Sequence, residues 1–327
     1  MIDLKWKFLD ILADKEFHSI ESLSRELDVS SRSVENYFSE IQRLGVPLYS
    51  KKTHGFALTD DADLLCKSII MNYLSNYYSA TNIRLEVLQI LDSTNRYARE
   101  QAENFSCPGL VVLAEMQTAG RGRRGKTWVS PFAANIYMSL VWDFPQGAQA
   151  LEGLSLAIGV AVRRALIKLD ISGIQLKWPN DIFLKGRKLG GILLEMIGDI
   201  NGACSVIVGV GLNVSMADSY VLEIDQEWTD LSRSSKVKIS RNQLSAILII
   251  EIFNVLVNFQ EIGFKVYRDE WQNSDLLCNQ AGTIKSVNES ISGTVLGVDN
   301  SGALRMLLSN GEERRFIGGE LSLRASE

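Results

Sequence analysis

The feature that most limits the fold is the run from Ser240 to Gly263, SRNQLSAILIIEIFNVLVNFQEIG. Ser240 and Gln243 have the spacing of a capping box and Gly263 that of a C-terminal stop, so the stretch predicts one long helix. Its window LSAILIIEIFNVLV is the most apolar in the chain, and only Glu251 and Asn254 interrupt it. Those two residues argue against a membrane span and for a helix that closes a large core. With 327 residues, the chain has length for two or three domains.

The segments before this helix divide into two characters. Leu4, Phe8, Ile11 and Leu12 recur at helical spacing, and a second short helix runs from Ser19, its N-cap, to Asp28. A third opens at the serines of DVSSRSVENYFSEIQRLG, puts Val34, Phe38, Ile41 and Leu44 on one face, and stops at Gly45. VPLYSKKTHGFALTD then predicts two short strands about a Thr-His-Gly turn, which makes a winged helix-turn-helix over residues 1–62. A connecting helix near ADLLCKSIIMNYLSN occupies the linker, 63–82.

From residue 83 to 276 strands and helices mix. RLEVLQILDS, GLVVLAEMQ, NIYMSLVW, IQLKWPNDIFL, KLGGILLEMI and SVIVGVGLNV read as strands. TNRYAREQAEN reads as a helix, as does LEGLSLAIGVAVRRALIKLD, with Arg163, Arg164 and Lys168 on its polar side. The expected unit is a mixed sheet covered by helices. Residues 277–327, with short strands from about Ala281 separated by DNSG and SNGE turns, predict a small β-barrel. The fold class is therefore α+β and multidomain.

Composition narrows the chemistry. The only histidines are His18 and His54, so everything beyond residue 54 works without imidazole, which argues against Ser-His-Asp or Cys-His nucleophiles and His-ligated metals. Cys66, Cys107, Cys204 and Cys278 lie far apart, the pattern of reduced thiols in a cytoplasm. No basic region followed by an apolar one opens the chain, and a net charge of −5 gives no global nucleic-acid signal. A cytoplasmic protein with no membrane partner is expected.

Gly120 to Gly125, in AGRGRRGKTW, spells the G-x-G-x-x-G pattern of dinucleotide loops. That pattern works only when a helix opens directly after the glycines and receives the pyrophosphate on its N-terminus. Here KTWVSPFAANIYMSL follows, with Pro131 and then strand-like alternation, so the mechanism is missing. Kinase companions H-R-D and D-F-G are absent too. An idle basic turn is the plain alternative. KWPNDI, KLGGILLE and VGVGLNV weigh against it, because each sets polar residues at strand ends or breaks, where sites form.

LDSTN, EMQTAGRGRRGKTWVSPFAANIYMSL, LKWPNDIFL, RKLGGILLE and VGVGLNV, in that order, resemble the biotin protein ligases. With the winged helix, the whole chain is similar to bifunctional ligase and biotin-operon repressor proteins. The resemblance implies a class II synthetase-like catalytic domain and an SH3-like C-terminal barrel. It implies that biotin's carboxylate attacks the α-phosphorus of ATP to give biotinyl-5′-AMP and pyrophosphate, and that a lysine of the biotin carboxyl carrier subunit of acetyl-CoA carboxylase takes the biotinyl group. Such a nucleophile is already ionised at neutral pH and needs no histidine, but positive charge must bring it beside a triphosphate.

Carried over by resemblance, Lys188, Arg121 and Asp181 are catalytic. Ser93, Thr94, Asn95 and Gln117 bond the ureido ring, whose two N–H groups and carbonyl suit neutral partners. Gly120, Arg121, Gly122 and Arg123 contact biotin or the adenylate within an ordering loop, Trp128 covers the ligand, and Lys188 and Gly191 complete the biotin contacts. Both glycines after Leu189 are expected to let backbone approach the biotin. ATP falls to Arg121, Arg123, Arg124, Asn180, Asp181, with Asn213 on adenine and Trp228 stacked on it; Asp181 also implies a magnesium ion. Without a ligand, the arginine loop is expected to repel itself and stay mobile.

The recognition helix offers Ser31, Arg32, Ser33, Asn36, Ser39 and Arg43, and the wing Lys51, Lys52 and His54. Glu35 and Glu40 bring the helix near zero charge, so few phosphate contacts are available. Two readings follow: a repressor that binds operator DNA as an adenylate-driven homodimer, or a ligase whose winged helix is only a regulatory lid. A biotin sensor without catalysis, and a lipoate ligase, are the remaining alternatives. Glu320 and Arg324 are expected to hold the barrel against the catalytic domain or to support carrier docking.

Overall fold

The computed structural model describes residues 4–60, 62–75, 83–147, 151–198, 202–217, 224, 226–234, 238–285, 289–318 and 322–325. Glu320 lies outside them. The N-terminal unit has α1 (Leu4–Ile11), α2 (Ile20–Leu27), α3 (Ser31–Arg43) and an antiparallel wing of β1 (Leu48–Lys51) and β2 (Gly55–Leu58). Local chemistry sets its boundaries. Ser19 Oγ accepts from the Ser22 amide at the start of α2, and Ser30 Oγ from the Ser33 amide at the start of α3. Phe8, Leu12, Leu23, Val34 and Ile41 are buried together.

A linking helix, α4 (Lys67–Ser75), leads to β3 (Arg84–Leu91), α5 (Thr94–Asn104), β4 (Leu110–Gln117), β5 (Asn135–Phe144) and α6 (Leu154–Ile167). β6 (Ile174–Lys177), β7 (Asp181–Leu184), β8 (Arg187–Gly198), β9 (Cys204–Asn213) and the long α7 (Arg241–Ile262) follow. Seven strands form one mixed sheet in the order β3-β4-β5-β9-β8-β7-β6, with only β3 and β4 parallel. IQLKWPNDIFL is not one strand but the antiparallel hairpin β6–β7, because Trp178, Pro179 and Asn180 make the turn, with a cis bond before Pro179. No helix follows the arginine loop; β5 does.

α7 is long and apolar enough to cross a membrane by composition, yet most of its side chains lie inside the protein. Its interrupting Glu251 is 5% exposed and accepts from Lys168 Nζ at 2.5 Å, so the charge in the apolar run has its counterion on the end of α6. Arg164, also on α6, pairs with Glu270 at 2.6 Å on α8 (Arg268–Gln272). The linking helix is not a free spacer, since Ile70 and Leu74 join the central core and Asn242 of α7 accepts from the Cys66 amide.

The C-terminal unit is a five-stranded antiparallel sheet, in spatial order Glu313–Phe316, Leu304–Leu308, Ser290–Val298, Ala281–Lys285 and Ser322–Ala325. In chain order these strands are β10 (Ala281–Lys285), β11 (Ser290–Val298), β12 (Leu304–Leu308), β13 (Glu313–Phe316) and β14 (Ser322–Ala325). Val295, Leu304, Met306 and Leu323 extend the central core into it. Trp178 Nε1 donates to the Gly302 carbonyl, which ties the β6–β7 hairpin to this unit, and Leu176 bonds Ser274 and Leu276 in the segment that leads into it.

Several contacts among the described residues dock the winged helix and its linker. Trp6 of α1 stacks on Phe132, ring centroids 5.9 Å apart, just beyond the arginine loop. Deeper, Arg241 is 2% exposed and bonds the Asn135 carbonyl, the Asp63 carbonyl and Glu115, which is 1% exposed. This guanidinium joins the interdomain segment to two strands of the sheet.

Candidate active site

One face of the central sheet opens on a cavity of about 730 Å³, within the range of small-molecule sites. Its floor is β8 and β9, where Gly191, Gly209 and Gly211 leave the backbone bare. A Cβ at Gly209 would come 2.3 Å from Asn95 Oδ1, and one at Gly211 2.6 Å from the Trp128 ring. Gly190, by contrast, does not line the cavity: strand alternation turns it the other way, where a Cβ would meet Leu212 and the Gly211 carbonyl. Of the two glycines after Leu189, only Gly191 fits the biotin expectation.

Neutral groups gather where α5 begins. Ser93, Thr94 and Asn95, at the start of α5, line the cavity with Gln117 from the end of β4. Gln117 Oε1 accepts from the Thr94 amide at 2.9 Å, and its amide donates to Ser130 Oγ. Ser139 Oγ lies 2.6 Å from Asn95 Oδ1, and Asn95 Nδ2 donates to Glu195 Oε2 at 2.7 Å. Ser93 precedes α5 but makes no side-chain cap bond.

Cations line the same cavity. Lys188 Nζ is 2.8 Å from Asp181 Oδ1 and 5.8 Å from the Trp128 ring centre. Arg121, Gly122, Arg123, Arg124 and Lys126 line the cavity from the loop, and Arg324 lines it from β14 of the C-terminal unit. Burial pushes the Lys177 ammonium below the usual lysine range; Asp181 opposes this, while Lys188 and Arg324 reinforce it. Lys177 and Glu195 carried no role in the sequence reading, and Arg324, expected only at the barrel's contact with the catalytic domain, also lines the cavity. Lys177 and Glu195 both sit inside motifs already singled out, KWPND and KLGGILLE, and strand alternation from Gly191 reaches Glu195.

The arginine loop is a small folded flap. Arg121 bridges Thr127, the Gly122 amide donates to the Lys126 carbonyl, and Arg124 and Gly125 take positive φ. Arg121 donates to Glu195 and Arg123 to Asn180 Oδ1 at 3.0 Å, so the side chains turn to acceptors on the walls instead of repelling one another. Gly120 lies under the flap, outside the lining; a Cβ there would strike the Trp128 carbonyl and Ser130. Trp128 Nε1 is buried with no hydrogen-bond partner among the described residues.

Asn213 and Trp228 also border the cavity. Asn213 Nδ2 donates to the Thr229 carbonyl, and the Asn135 amide reaches Asn213 Oδ1 at 3.5 Å. Trp228 bridges Lys188 and has the Arg233 guanidinium 4.3 Å from its ring centre. Arg187 is exposed.

The DNA candidates lie apart from this cavity. Ser31, Arg32, Asn36, Arg43, Lys51, Lys52 and His54 are exposed, while Ser33 and Ser39 are half-buried. Ser39 Oγ donates to the Glu35 carbonyl and Ser33 Oγ meets Ser30 Oγ, so these two hydroxyls face their own helix. Glu40 pairs with Lys5, and Lys51 Nζ sits 4.4 Å over the Phe17 ring.

A sheet-borne cavity lined by neutral hydrogen-bonding groups, by cations and by an arginine flap fits an adenylate-forming type of site, and comparison gives the family. The chain matches the Biotin/lipoate A/B protein ligase family over residues 87–213, an HTH domain over 7–57 and the biotin protein ligase C-terminal domain over 278–324. It is 35% identical to the bifunctional ligase/repressor BirA of Escherichia coli, across 98% of this chain and 97% of that one. It is 31% identical to the biotin–[acetyl-CoA-carboxylase] ligase of Mycobacterium tuberculosis over 68% of its own length and 82% of the relative's. The Aquifex aeolicus biotin protein ligase, solved in complex with biotin and ATP, superposes with a TM-score of 0.64 at 28% identity, covering 74% of this chain and 99% of that one. This chain belongs to the biotin protein ligase family and carries the winged helix of its bifunctional members.

Proposed function

We propose that the protein activates biotin with ATP and transfers it to a lysine of a biotin carboxyl carrier protein. The observation that carries this reading is the lining of one cavity, which brings the neutral amides and hydroxyls of Ser93, Thr94, Asn95 and Gln117 together with Lys188, Asp181 and the arginine flap. Ser93, Thr94, Asn95 and Gln117 orient the ureido ring; Gly191 gives backbone access, and Trp128 covers the ligand. The carboxylate oxygen attacks the α-phosphorus as the bond to pyrophosphate breaks. Lys188, Arg121 and Arg123 hold the charge that builds there, a role forked and point cations suit. The carrier lysine, losing a proton, then attacks the acyl carbon and AMP departs.

Arg124, Asn180 and Asp181 serve the triphosphate, while Asn213 and Trp228 border the adenine. Asn213 acts by holding the Thr229 carbonyl as much as by facing the base. No cluster of three metal-ligating side chains exists among the described residues, and Asp181 is a lone carboxylate already paired with Lys188. That donor set fits a magnesium ion brought in on the nucleotide, which supplies charge neutralisation to the phosphates, with Asp181 as its one protein ligand.

The winged helix makes operator repression the second activity, favoured by the exposed Arg32, Asn36, Arg43, Lys51, Lys52 and His54. Homodimerisation on adenylate binding and a cytoplasmic location complete the reading. The test mixes protein, ATP, magnesium and either biotin or lipoate, and measures adenylate and pyrophosphate. Product with biotin supports it; none with biotin overturns it. Enrichment of duplexes from a random-sequence pool, with and without biotin plus ATP, tests the repressor, and sedimentation under the same conditions tests the dimer.

A further inference from the structure

The recognition helix α3 is held from one side. Val34 and Ile41 are buried in the N-terminal core, Phe38 stacks on Phe56 of β2 with ring centroids 4.2 Å apart, and Tyr37 lies against Phe8. At about 100° per residue these four share one face, and Arg32, Glu35 and Asn36 emerge away from it, all exposed. Glu35 and Asn36 stand three and four positions after Arg32 in the first two turns, so the side chains are neighbours. A helix-turn-helix sets that end of its recognition helix against base edges.

The two carboxylates of α3 differ. Lys5 of α1 lies 3.7 Å from Glu40, so that charge is met within the protein. The Glu35 side chain makes no ion pair or hydrogen bond among the described residues, while its backbone carbonyl takes the Ser39 hydroxyl. A bare carboxylate on a face turned to DNA is repelled by phosphates whatever the sequence. It gains only where a base edge offers it a proton. In the major groove that partner is the N4 amino group of cytosine; adenine also carries an amine, but its N7 acceptor stands beside it and opposes the second carboxylate oxygen. We infer that Glu35 is a specificity-determining residue of the winged helix, accepting a hydrogen bond from the N4 amino group of one cytosine in each operator half-site.

The assignment rests on the operator repression proposed above, and it gives the near-zero charge of α3 a use. Arg32 and Asn36 suit guanine and adenine, and Glu35 beside them penalises every duplex that lacks cytosine at its own position. The test mixes full-length protein, biotin, ATP and magnesium with a random-sequence duplex pool at one fixed salt concentration. The duplexes retained by wild type, Glu35→Ala, Glu35→Gln and Glu40→Gln are then sequenced. Both positions are exposed, and far-ultraviolet circular dichroism checks that each protein is folded.

Wild type is expected to favour cytosine at one position of the enriched motif by about 5- to 150-fold over other bases. Glu35→Ala keeps the remaining positions, loses that preference, and binds duplexes without the cytosine more tightly than wild type does, because the repulsion is gone. Glu35→Gln moves the preference there to adenine, whose N6 and N7 match a side-chain amide. Glu40→Gln changes no position. A Glu35→Ala motif identical to wild type overturns the inference. So does a loss spread evenly over all positions, which would mean a damaged helix, or the same shift to adenine in Glu40→Gln. No enriched motif with any of the four proteins would remove operator repression and this assignment together, leaving biotin activation to its own assay; a motif indifferent to Glu35 removes the assignment alone.

Discussion

The cavity and the wing are both polar and both cationic, yet they treat charge in opposite ways. Around the cavity, Lys188 has Asp181, Arg121 has Glu195 and, beneath, Arg241 has Glu115. On the wing, Lys52 faces water, His54 bonds Thr53 and lies edge-on to Phe17, and Lys51 leans on the same Phe17 ring with no carboxylate paired to it among the described residues. Paired charges are held in fixed positions and suit one small reactant of defined shape. Charges in water are soft and screened, and they suit a long polyanion met at many points.

The comparison is broken most severely at Arg241. Arg241→Ala strands Glu115 in the core and is expected to cost about 3–5 kcal/mol of stability, read by urea denaturation. A loss under 1 kcal/mol would mean that the buried cluster is not an electrostatic unit. Lys188→Ala comes next: about 2–3 kcal/mol of transition-state stabilisation lost in biotin-dependent pyrophosphate exchange, with the fold retained. A near-normal rate would reduce Lys188 to a rim charge.

Asp275 is the interior exception, a carboxylate with one oxygen unpartnered and a pKa pushed up to about 6 by burial. Because its folded pKa exceeds the unfolded value of 3.8, the folded state binds the extra proton between pH 4 and 6. Stability contributed by this group is thus greatest below pH 4 and falls as pH rises through 6. Asp275→Asn is expected to gain about 2 kcal/mol over wild type at pH 8 and little at pH 4, checked by denaturation at both. Equal effects at the two pH values would contradict it.

The smallest effects belong to the wing. Lys51→Gln and Lys52→Gln should each lower the salt slope of DNA binding by about 1 and affinity by under about 1 kcal/mol, evenly across sequences. A sequence-selective loss would show that these lysines read bases.

What the sequence made legible was whatever local chemistry dictates. Ser19, Ser30 and Ser240 cap the helices they precede, and the failure of a helix to open after Gly125 separated this loop from a dinucleotide site. The motif set brought Lys188, Asp181, Arg121 and Gln117 to one cavity as expected. What stayed hidden depends on distant partners. The KWPND turn lay inside an unbroken strand-like pattern, and Gly190 and Gly191 look alike until strand facing separates them. Glu195, Arg241 and the Trp6 stack on Phe132 acquire meaning only from residues more than seventy positions away.

The bare floor of β8 and β9 has a consequence for how this protein tolerates change. The depth of its cavity is set by atoms that are missing, and the three glycines are not equivalent vacancies. At Gly191 a methyl group meets nothing closer than 3.6 Å, so the folded chain would accept it and only the ligand would register the lost space. At Gly209 and Gly211 the same methyl displaces Asn95 or Trp128, two side chains that line the cavity. Position 191 can therefore drift toward a narrower acceptor pocket in a sound protein, whereas 209 and 211 permit no such intermediate.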